Sequence, residues 1–422
     1  MPASQFSYLK TFLLGLGFFG VSVIWGIYNA FVPVYLEEKF GLSPVWIGFF
    51  LTLDNVAALF IQPPVGTWSD KLRTPIGRRM PFILVGAPIS ALAFGLIPVA
   101  AVLPLFVACT STLMLSMSLW RTPVVALMPD ITPSKYRSQA NGIITLMGGL
   151  GAIFAYVGGG ALIKVNEAYP FWLGSALVLV ASALLLIFIR EPKIVEEPEA
   201  QPDLVESVKL LFREREKSAL FFLLALFCWT VGYTAIEAFW TLYAKNHLGY
   251  SKGDAALLLG QHAIIIVLFA IPCGYLAGKI KRRSLIFGGL WMTAILLATI
   301  HFLPIATLTK PLFTLPVLGV VPILGVLLMA AGISWALITI HALPMIVDMT
   351  TAARLGTYTG LYYLFSTAAA IAGPNINGWV VQLSGKNYNT VLLFAPVWMI
   401  AASVLLLRVK RGEVEERIKA EG

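Results

Sequence analysis

Charge is scarce in this chain. Asp, Glu, Lys and Arg together make up 12% of it, against roughly 25% in soluble domains. Cysteine and histidine are scarcer still, at three and four residues. Cys109, Cys228 and Cys273 all lie in apolar segments and share no metal-ligand spacing. That excludes a disulfide framework and a zinc site, and leaves three small buried residues. No nucleophile–base pair stands at a useful spacing, so an enzyme is not expected. No cofactor is expected either, beyond a proton as coupling ion. The formal charge of +9 would suggest a nucleic-acid partner if it formed a patch. It does not, because the basic residues are spread along the chain at the ends of apolar segments.

Apolar sequence is what the chain has in excess, at 58% against about 45–50% in soluble proteins. A membrane span needs about 20 mostly apolar residues. Twelve such stretches can be placed: 10–36, 44–69, 80–100, 103–128, 138–163, 169–189, 218–244, 253–278, 285–305, 315–346, 357–383 and 389–408. Pro33, Pro63, Pro64, Pro123, Pro272, Pro344 and Pro374 fall inside them. Such prolines argue against soluble helices, whereas membrane bundles tolerate them because neighbours re-satisfy the freed backbone groups. The expected fold is therefore an all-α membrane protein with 12 transmembrane helices in two six-helix halves. The first stretch runs into a repeated unit and lacks a small-residue cleavage site, so it reads as a span and not a removable signal peptide.

Lysine and arginine orient the chain. With the N-terminus inside, the cytoplasmic side carries Lys10, the run Lys71–Arg79, Lys135, Arg137, the 190–217 linker, Lys279–Arg283, Arg354 and the tail from Arg408. The outer side carries only Lys39, Lys164, Lys245, Lys252, Lys310 and Lys386. Both termini are thus expected in the cytoplasm of a multi-pass cell-membrane protein. The halves are 1–190 and 218–409, joined by a linker, 191–217, and followed by a tail, 410–422. The linker's acidic stretch, Glu196-Glu197-Pro198-Glu199, reads as disordered. From Asp203 to Lys217 a short surface helix is expected, with Leu204, Val208 and Leu211 on one face.

The halves repeat. Asn29-Ala-Phe-Val-Pro-Val-Tyr35 matches Glu237-Ala-Phe-Trp-Thr-Leu-Tyr243, 208 residues on. In the same register Gly41 falls on Gly249, Ser43 on Ser251, Pro64 on Pro272 and Gly66 on Gly274. The register also pairs Asn29 with Glu237 and Asp54 with His262. A duplicated membrane chain with ionisable groups at matching depth is the pattern of a secondary transporter. A second match closes each half's fourth span: Leu127-Met-Pro-Asp130-Ile-Thr and Ile346-Val-Asp348-Met-Thr. Each is followed by one arginine, Arg137 or Arg354. An acid at one helix end and an arginine opening the next could pair and lock a cytoplasmic gate. The alternative is a surface salt bridge of little energetic value.

The most specific local motif is Gly66-Thr-Trp-Ser-Asp70-Lys-Leu-Arg-Thr-Pro-Ile-Gly77-Arg78-Arg79. Gly66 would allow close helix approach, and Asp70 would face the basic residues. This resembles the cytoplasmic loop motif of the major facilitator superfamily, where acid and arginines tie neighbouring helices together. The resemblance covers nearly the whole chain. The second half, Gly274 to Arg283, keeps its basic residues but has Gly278 at the acid's place, so the lock should be asymmetric. Ile61-Gln62-Pro63-Pro-Val-Gly66, Gly77-Arg-Arg-Met-Pro-Phe82 and Arg121-Thr-Pro123-Val-Val-Ala-Leu-Met-Pro-Asp130 resemble the sugar–cation (glycoside–pentoside–hexuronide) symporters, within them the branch of plant sucrose–proton symporters and their bacterial and animal relatives. Two departures matter. Where sodium-using melibiose carriers have acids, this chain has Gln62 and Arg121. Where plant sucrose carriers have a functional arginine in span four, it has Val125.

The resemblance implies a proton-coupled symporter of a di- or oligosaccharide or glycoside, acting by alternating access. Charges inside a bilayer almost always face a cavity or a partner. Asp54, Glu237 and His262 are the candidate proton-coupling residues. Tyr28, Asn29, Gln62, Trp120, Arg121 and Tyr233 are the candidate sugar contacts, with amide, guanidinium and aromatic groups suited to hydroxyls and to a pyranose face. Asp54 could instead merely pair with Asn55, His262 could be a hydrogen-bonded packing residue, and the aromatics could be packing. Gly66, Asp70, Gly77, Arg78, Arg79, Asp130, Arg137, Asp348 and Arg354 are the candidate gate. The partners expected are a small sugar and membrane lipid, with the protein a monomer. Two other readings share the fold: a proton-coupled exporter or antiporter of other small molecules, and a transporter-like sensor without turnover.

Overall fold

The computed structural model describes residues 7–132, 136–191, 204–213, 216–277, 279–351 and 354–413. Lys135, the acidic stretch 196–199 and Gly278 lie outside the described residues. The first half carries α1 (Tyr8–Glu38), α2 (Pro44–Lys71), α3 (Met80–Leu96), α4 (Leu103–Ile131), α5 (Arg137–Ile163) and α6 (Tyr169–Phe188). A short helix α7 (Leu204–Arg213) follows. The second half carries α8 (Ser218–Asn246), α9 (Lys252–Leu276), α10 (Arg282–Phe302), a single turn α11 (Ile305–Leu308), strands β1 (Pro311–Leu315) and β2 (Gly319–Pro322), α12 (Ile323–Val347), α13 (Leu355–Leu383) and α14 (Val391–Leu406).

Eleven of these helices are long and apolar enough to cross a membrane by length and composition. The remaining long one, α13, has 29 residues, about 43 Å at helical rise. Its Tyr358, Ser366, Asn375, Asn377 and Gln382 dilute its hydropathy. The expected spans match the helices within a few residues, with one correction. The stretch 315–346 does not begin as a helix: α12 starts at Ile323, and residues 311–322 fold into an antiparallel hairpin. Pro316, Gly319 and Pro322 interrupt any helix there, and Val320 and Val321 favour extended backbone. The apolar count alone could not separate the two.

Two compact units are present. One comprises Met1–Leu42, Leu53–Glu197 and Tyr250–Gly260, the other Ser43–Thr52, Pro198–Gly249 and Gln261–Gly422. In the first, α1 packs on α5 and α6, and α3 on α4 and α6. In the second, α8 packs on α13 and α14, and α10 on α12 and α14. Each unit repeats the other's pairings helix for helix, so the duplication extends well beyond the segment legible in the sequence. Small residues set the closest crossings, as expected where lipid supplies no hydrophobic drive between helices. A Cβ on Gly151 of α5 would stand 2.5 Å from the Phe19 carbonyl of α1, and one on Gly373 of α13 would stand 2.5 Å from the Val231 carbonyl of α8. The turns repeat too: Gly41 and Gly249 both have left-handed backbone, φ 63° and 75°, which explains why the match keeps glycine there.

The linker helix α7 forms where its apolar spacing predicts. Leu211 is buried in the core of the second unit, with Val208 packed against it. The helix is docked on protein, against α8 and α13.

Candidate functional site

In the first unit, α1, α2 and α4 bring Tyr28, Asp54 and Arg121 together. The Asp54 carboxylate accepts a hydrogen bond from Asn55 Nδ2 at 2.9 Å. The Arg121 guanidinium is close enough to act electrostatically on Asp54, and Asp54 acts in turn on the Tyr28 phenol. Tyr28 is 1% exposed and meets Trp25 edge-on, ring centroids 5.7 Å apart. Asp54 and Arg121 are partly buried in the interior of their spans, so the first unit holds an acid, a permanent cation and a phenol in one neighbourhood. Asn29 and Gln62 are also partly buried in spans α1 and α2.

Trp120 departs from expectation. Its indole is 1% exposed, and its Nε1 donates to Ser90 Oγ of α3 at 2.9 Å. Adjacent residues on a helix point about 100° apart. Trp120 therefore packs α4 against α3 while Arg121 turns toward Asp54. Ser90 Oγ also bonds Ser116 Oγ at 2.8 Å. The second unit has the equivalent hydroxyl pair, Thr293 and Ser334, at 2.8 Å.

In the second unit, His262 Nδ1 lies 2.9 Å from the Leu328 carbonyl of α12, which fits the packing alternative for this residue. Tyr233 is partly buried on α8 and stacks flat on Trp335, 3.8 Å between centroids and 6° between planes. Glu237 is partly buried on the same helix.

The arginine-bearing ends of the helices are built differently from the sequence expectation. Asp130 does not pair with Arg137, which instead donates to the Pro129 carbonyl at 3.3 Å. Asp130 takes Arg78 Nη2 at 2.8 Å and Arg79 Nε at 2.5 Å. Arg79 also forms an ion pair with Asp70 at 2.9 Å and donates to Ser69 Oγ at 3.1 Å. The Arg79 and Asp130 side chains are 6% and 8% exposed, so this is a desolvated network and not a surface pair. In the second unit Asp348 pairs with Arg282. The reason is distance along the chain: each acid meets the arginines that open the preceding span, which no local spacing reveals.

Two further acids escape the sequence reading. The backbone N–H groups of Arg78, Arg79 and Met80 donate to the Glu191 carboxylate at 2.9, 2.8 and 2.8 Å. These are donors at the start of α3 that have no partner within the helix, and an anion suits that helix end. Gly77, at φ 119°, leaves room for the carboxylate, since a Cβ there would stand 2.6 Å from it. In the second unit Glu413 takes the N–H groups of Arg282 and Arg283 at 2.9 and 3.2 Å. The available signal was that each acid follows the last span of its half: Arg190-Glu191 and Arg411-Gly412-Glu413. Gly66 is a correction: a Cβ there would sit 3.5 Å from Thr122 Cγ2, an ordinary contact, so close approach does not require glycine.

The opposite end of the first unit holds a second ion cluster. Lys252, opening α9, contacts Glu38 at 2.5 Å and Glu167 at 2.7 Å. Lys164 pairs with Asp254 at 2.5 Å, and Tyr35 donates to the Glu167 carbonyl at 2.9 Å.

These features define an all-α, multi-pass membrane protein built from a duplicated six-helix unit with matching charged clusters. The sequence profile of the Major Facilitator Superfamily matches residues 14–339 and 239–422, and the chain belongs to that family. Among solved structures, a bacterial homologue of the human lysosomal transporter Spinster, inward-facing and occupied, has a TM-score of 0.75 at 14% identity, covering 98% of this chain and 99% of that one. A point mutant of the nucleoside transporter NupG also gives 0.75 at 14% identity, covering 96% and 100%. At such identity the likeness is one of fold. By sequence, Multidrug resistance protein 1 of Bacillus subtilis is 24% identical over 263 residues, 61% of this chain and 64% of that protein. Quinolone resistance protein NorA of Staphylococcus aureus is 23% identical over 264 residues, 63% and 64%. The match thus spans just under two-thirds of these relatives.

Proposed function

We propose that this protein is a secondary transporter working by alternating access, and that it couples proton movement to transport of a hydroxylated small molecule, with a di- or oligosaccharide as the leading candidate. The observation that carries this reading is the Asp54–Arg121–Tyr28 group inside the first unit. A carboxyl group can take up and release a proton, whereas the guanidinium keeps its charge and its fork of donors. Carboxylate, guanidinium, amide and phenol together match the paired donors and acceptors of sugar hydroxyls. Gln62 and Arg121, at the positions where sodium-using relatives carry acids, favour protons over sodium. The cell membrane, with both termini in the cytoplasm, is the location the basic residues favour, and the Arg78–Arg79–Asp70–Asp130–Glu191 network is then a cytoplasmic gate. The test is uptake into proteoliposomes under an imposed pH gradient, acidic outside. Saturable accumulation of a disaccharide that collapses with a protonophore is expected. Absence of accumulation for a panel of mono- and disaccharides would remove the sugar reading.

Export of planar amphiphilic compounds is the second reading. The names of the drug-resistance relatives and the flat Tyr233–Trp335 stack favour it. A thermal-shift screen at two pH values separates the two. Stabilisation by sugars supports the first, and stabilisation by a quinolone without any sugar response supports the second.

A further inference from the structure

The hairpin of β1 and β2 lies between two spans, α10 and α12, at the end of the second unit away from Arg282 and Arg283. Its chemistry is unlike that of the unit's other turns at the same helix ends, which carry Asn246 and His247, or Lys386 and Asn387. From Pro311 to Pro322 there is no charged residue, and Thr314 is the single hydroxyl. Four of its apolar side chains are nonetheless turned outward, Leu312, Phe313, Val317 and Val320 being 51%, 47%, 84% and 54% exposed, while Val321 is buried. So much exposed apolar surface on one short, uncharged hairpin marks an interaction surface.

We infer that residues 311–322 lie in the bilayer interface, with the exposed side chains of Leu312, Phe313, Val317 and Val320 among the lipid headgroups and upper acyl chains. Three observations point to lipid. The span that leads into the hairpin, α10, exposes an apolar stripe of Trp291, Ile295 and Phe302 at helical spacing, and Ile305 in the connection is exposed as well. Lys310, at the hairpin's base, is the only charge between Phe302 and Asp348 and is placed to meet a phosphate. The hairpin cannot go deeper, because a two-stranded sheet has open edges that hydrocarbon does not satisfy. It is held in place from the protein side. The buried Gln261 of α9 donates from Nε2 to the Leu318 and Val320 carbonyls, at 3.3 and 3.2 Å. At the tip, Val317 has φ 70° in a three-residue turn closed by Leu318 N–H to the Pro316 carbonyl at 2.8 Å. A β-branched residue is unfavourable there. An apolar medium around the tip gives its side chain a use that water would not.

Nitroxide labels test this in liposomes. Val317→Cys and Leu312→Cys carry the label, and Lys386→Cys is the reference for water exposure. The native Cys109, Cys228 and Cys273 are buried, and unsubstituted protein reports any background labelling. Labels at 317 and 312 should be relaxed more by oxygen and less by a water-soluble nickel chelate than the label at 386. Equal access of the nickel chelate at all three sites overturns the inference, and would favour a water-facing lid or protein-docking hairpin. The unmodified protein gives an independent measurement if the variants do not fold. A lipid-borne diazirine should leave adducts within residues 311–322. Adducts on Trp291 and Ile295 of α10 with none on the hairpin would overturn it.

Discussion

At Asp54 the residue type matters more than its shape. Asp54→Asn keeps size and hydrogen bonding to Asn55 but cannot carry a proton. It should abolish accumulation driven by a pH gradient while leaving downhill exchange measurable. Uphill uptake with its usual pH dependence in that variant would rule Asp54 out as a coupling group. Arg121→Lys keeps the charge and loses the planar fork, so both affinity and rate in proteoliposomes should fall by about an order of magnitude, as expected for about 1.4 kcal/mol of lost interaction. Val317 carries a different kind of cost. Val317→Gly removes the unfavourable left-handed conformation of a β-branched residue, and unfolding in detergent should become harder by about 1–3 kcal/mol.

Helix ends, and not helix middles, carry most of the charge chemistry. Each unit ties the start of its third helix to the end of its fourth, and to the acid that follows its sixth. Asp130 is shared by two guanidiniums with little solvent. Asp130→Asn therefore leaves buried positive charge poorly compensated, and should cost about 3–5 kcal/mol in thermal or denaturant unfolding. Glu191→Gln keeps one acceptor for the α3 N–H groups but loses the charge opposite the helix dipole, so a smaller loss of about 1 kcal/mol is expected. If Asp130→Asn is no worse than Glu191→Gln, the buried ion network does not hold this end of the unit together.

At the scale of the whole molecule, the duplication is the organising fact. The pairings of α1 with α5 and α6 and of α3 with α4 and α6 recur as α8 with α13 and α14 and α10 with α12 and α14. The charged groups have diverged more than the helices. An acid and a cation share the interior of the first unit, while the second presents an aromatic stack, a histidine bonded to backbone and the partly buried Glu237. Coupling should depend on protons carried by interior carboxyl groups, Asp54 in the first unit and Glu237 in the second. Sodium added to a potassium buffer at constant pH should leave substrate binding unchanged. Stimulation by sodium would overturn the assignment of the coupling ion.

Which segments enter the membrane is a matter of local composition. About 20 apolar residues in a row decide it whatever they later touch, so the helices were legible from residues 8 to 406 apart from the start of α12. The repeat was legible where glycine and proline sit at fixed backbone requirements, as at Gly41 and Gly249. Asp54 and Arg121 stood out because charge inside a span is rare enough to need a reason. The tertiary structure alone decided the partners. Asp130 could have met Arg137 nearby, yet it pairs with Arg78 and Arg79, some 50 positions earlier. Glu191 closes a helix end 111 residues away. Trp120 follows α3 while its neighbour Arg121 turns toward Asp54. Ion pairs and helix caps depend on which ends the packing brings together, and packing depends on every interface at once. Hydrophobic partition is set residue by residue along the chain, so it could be read from the sequence while these pairings could not.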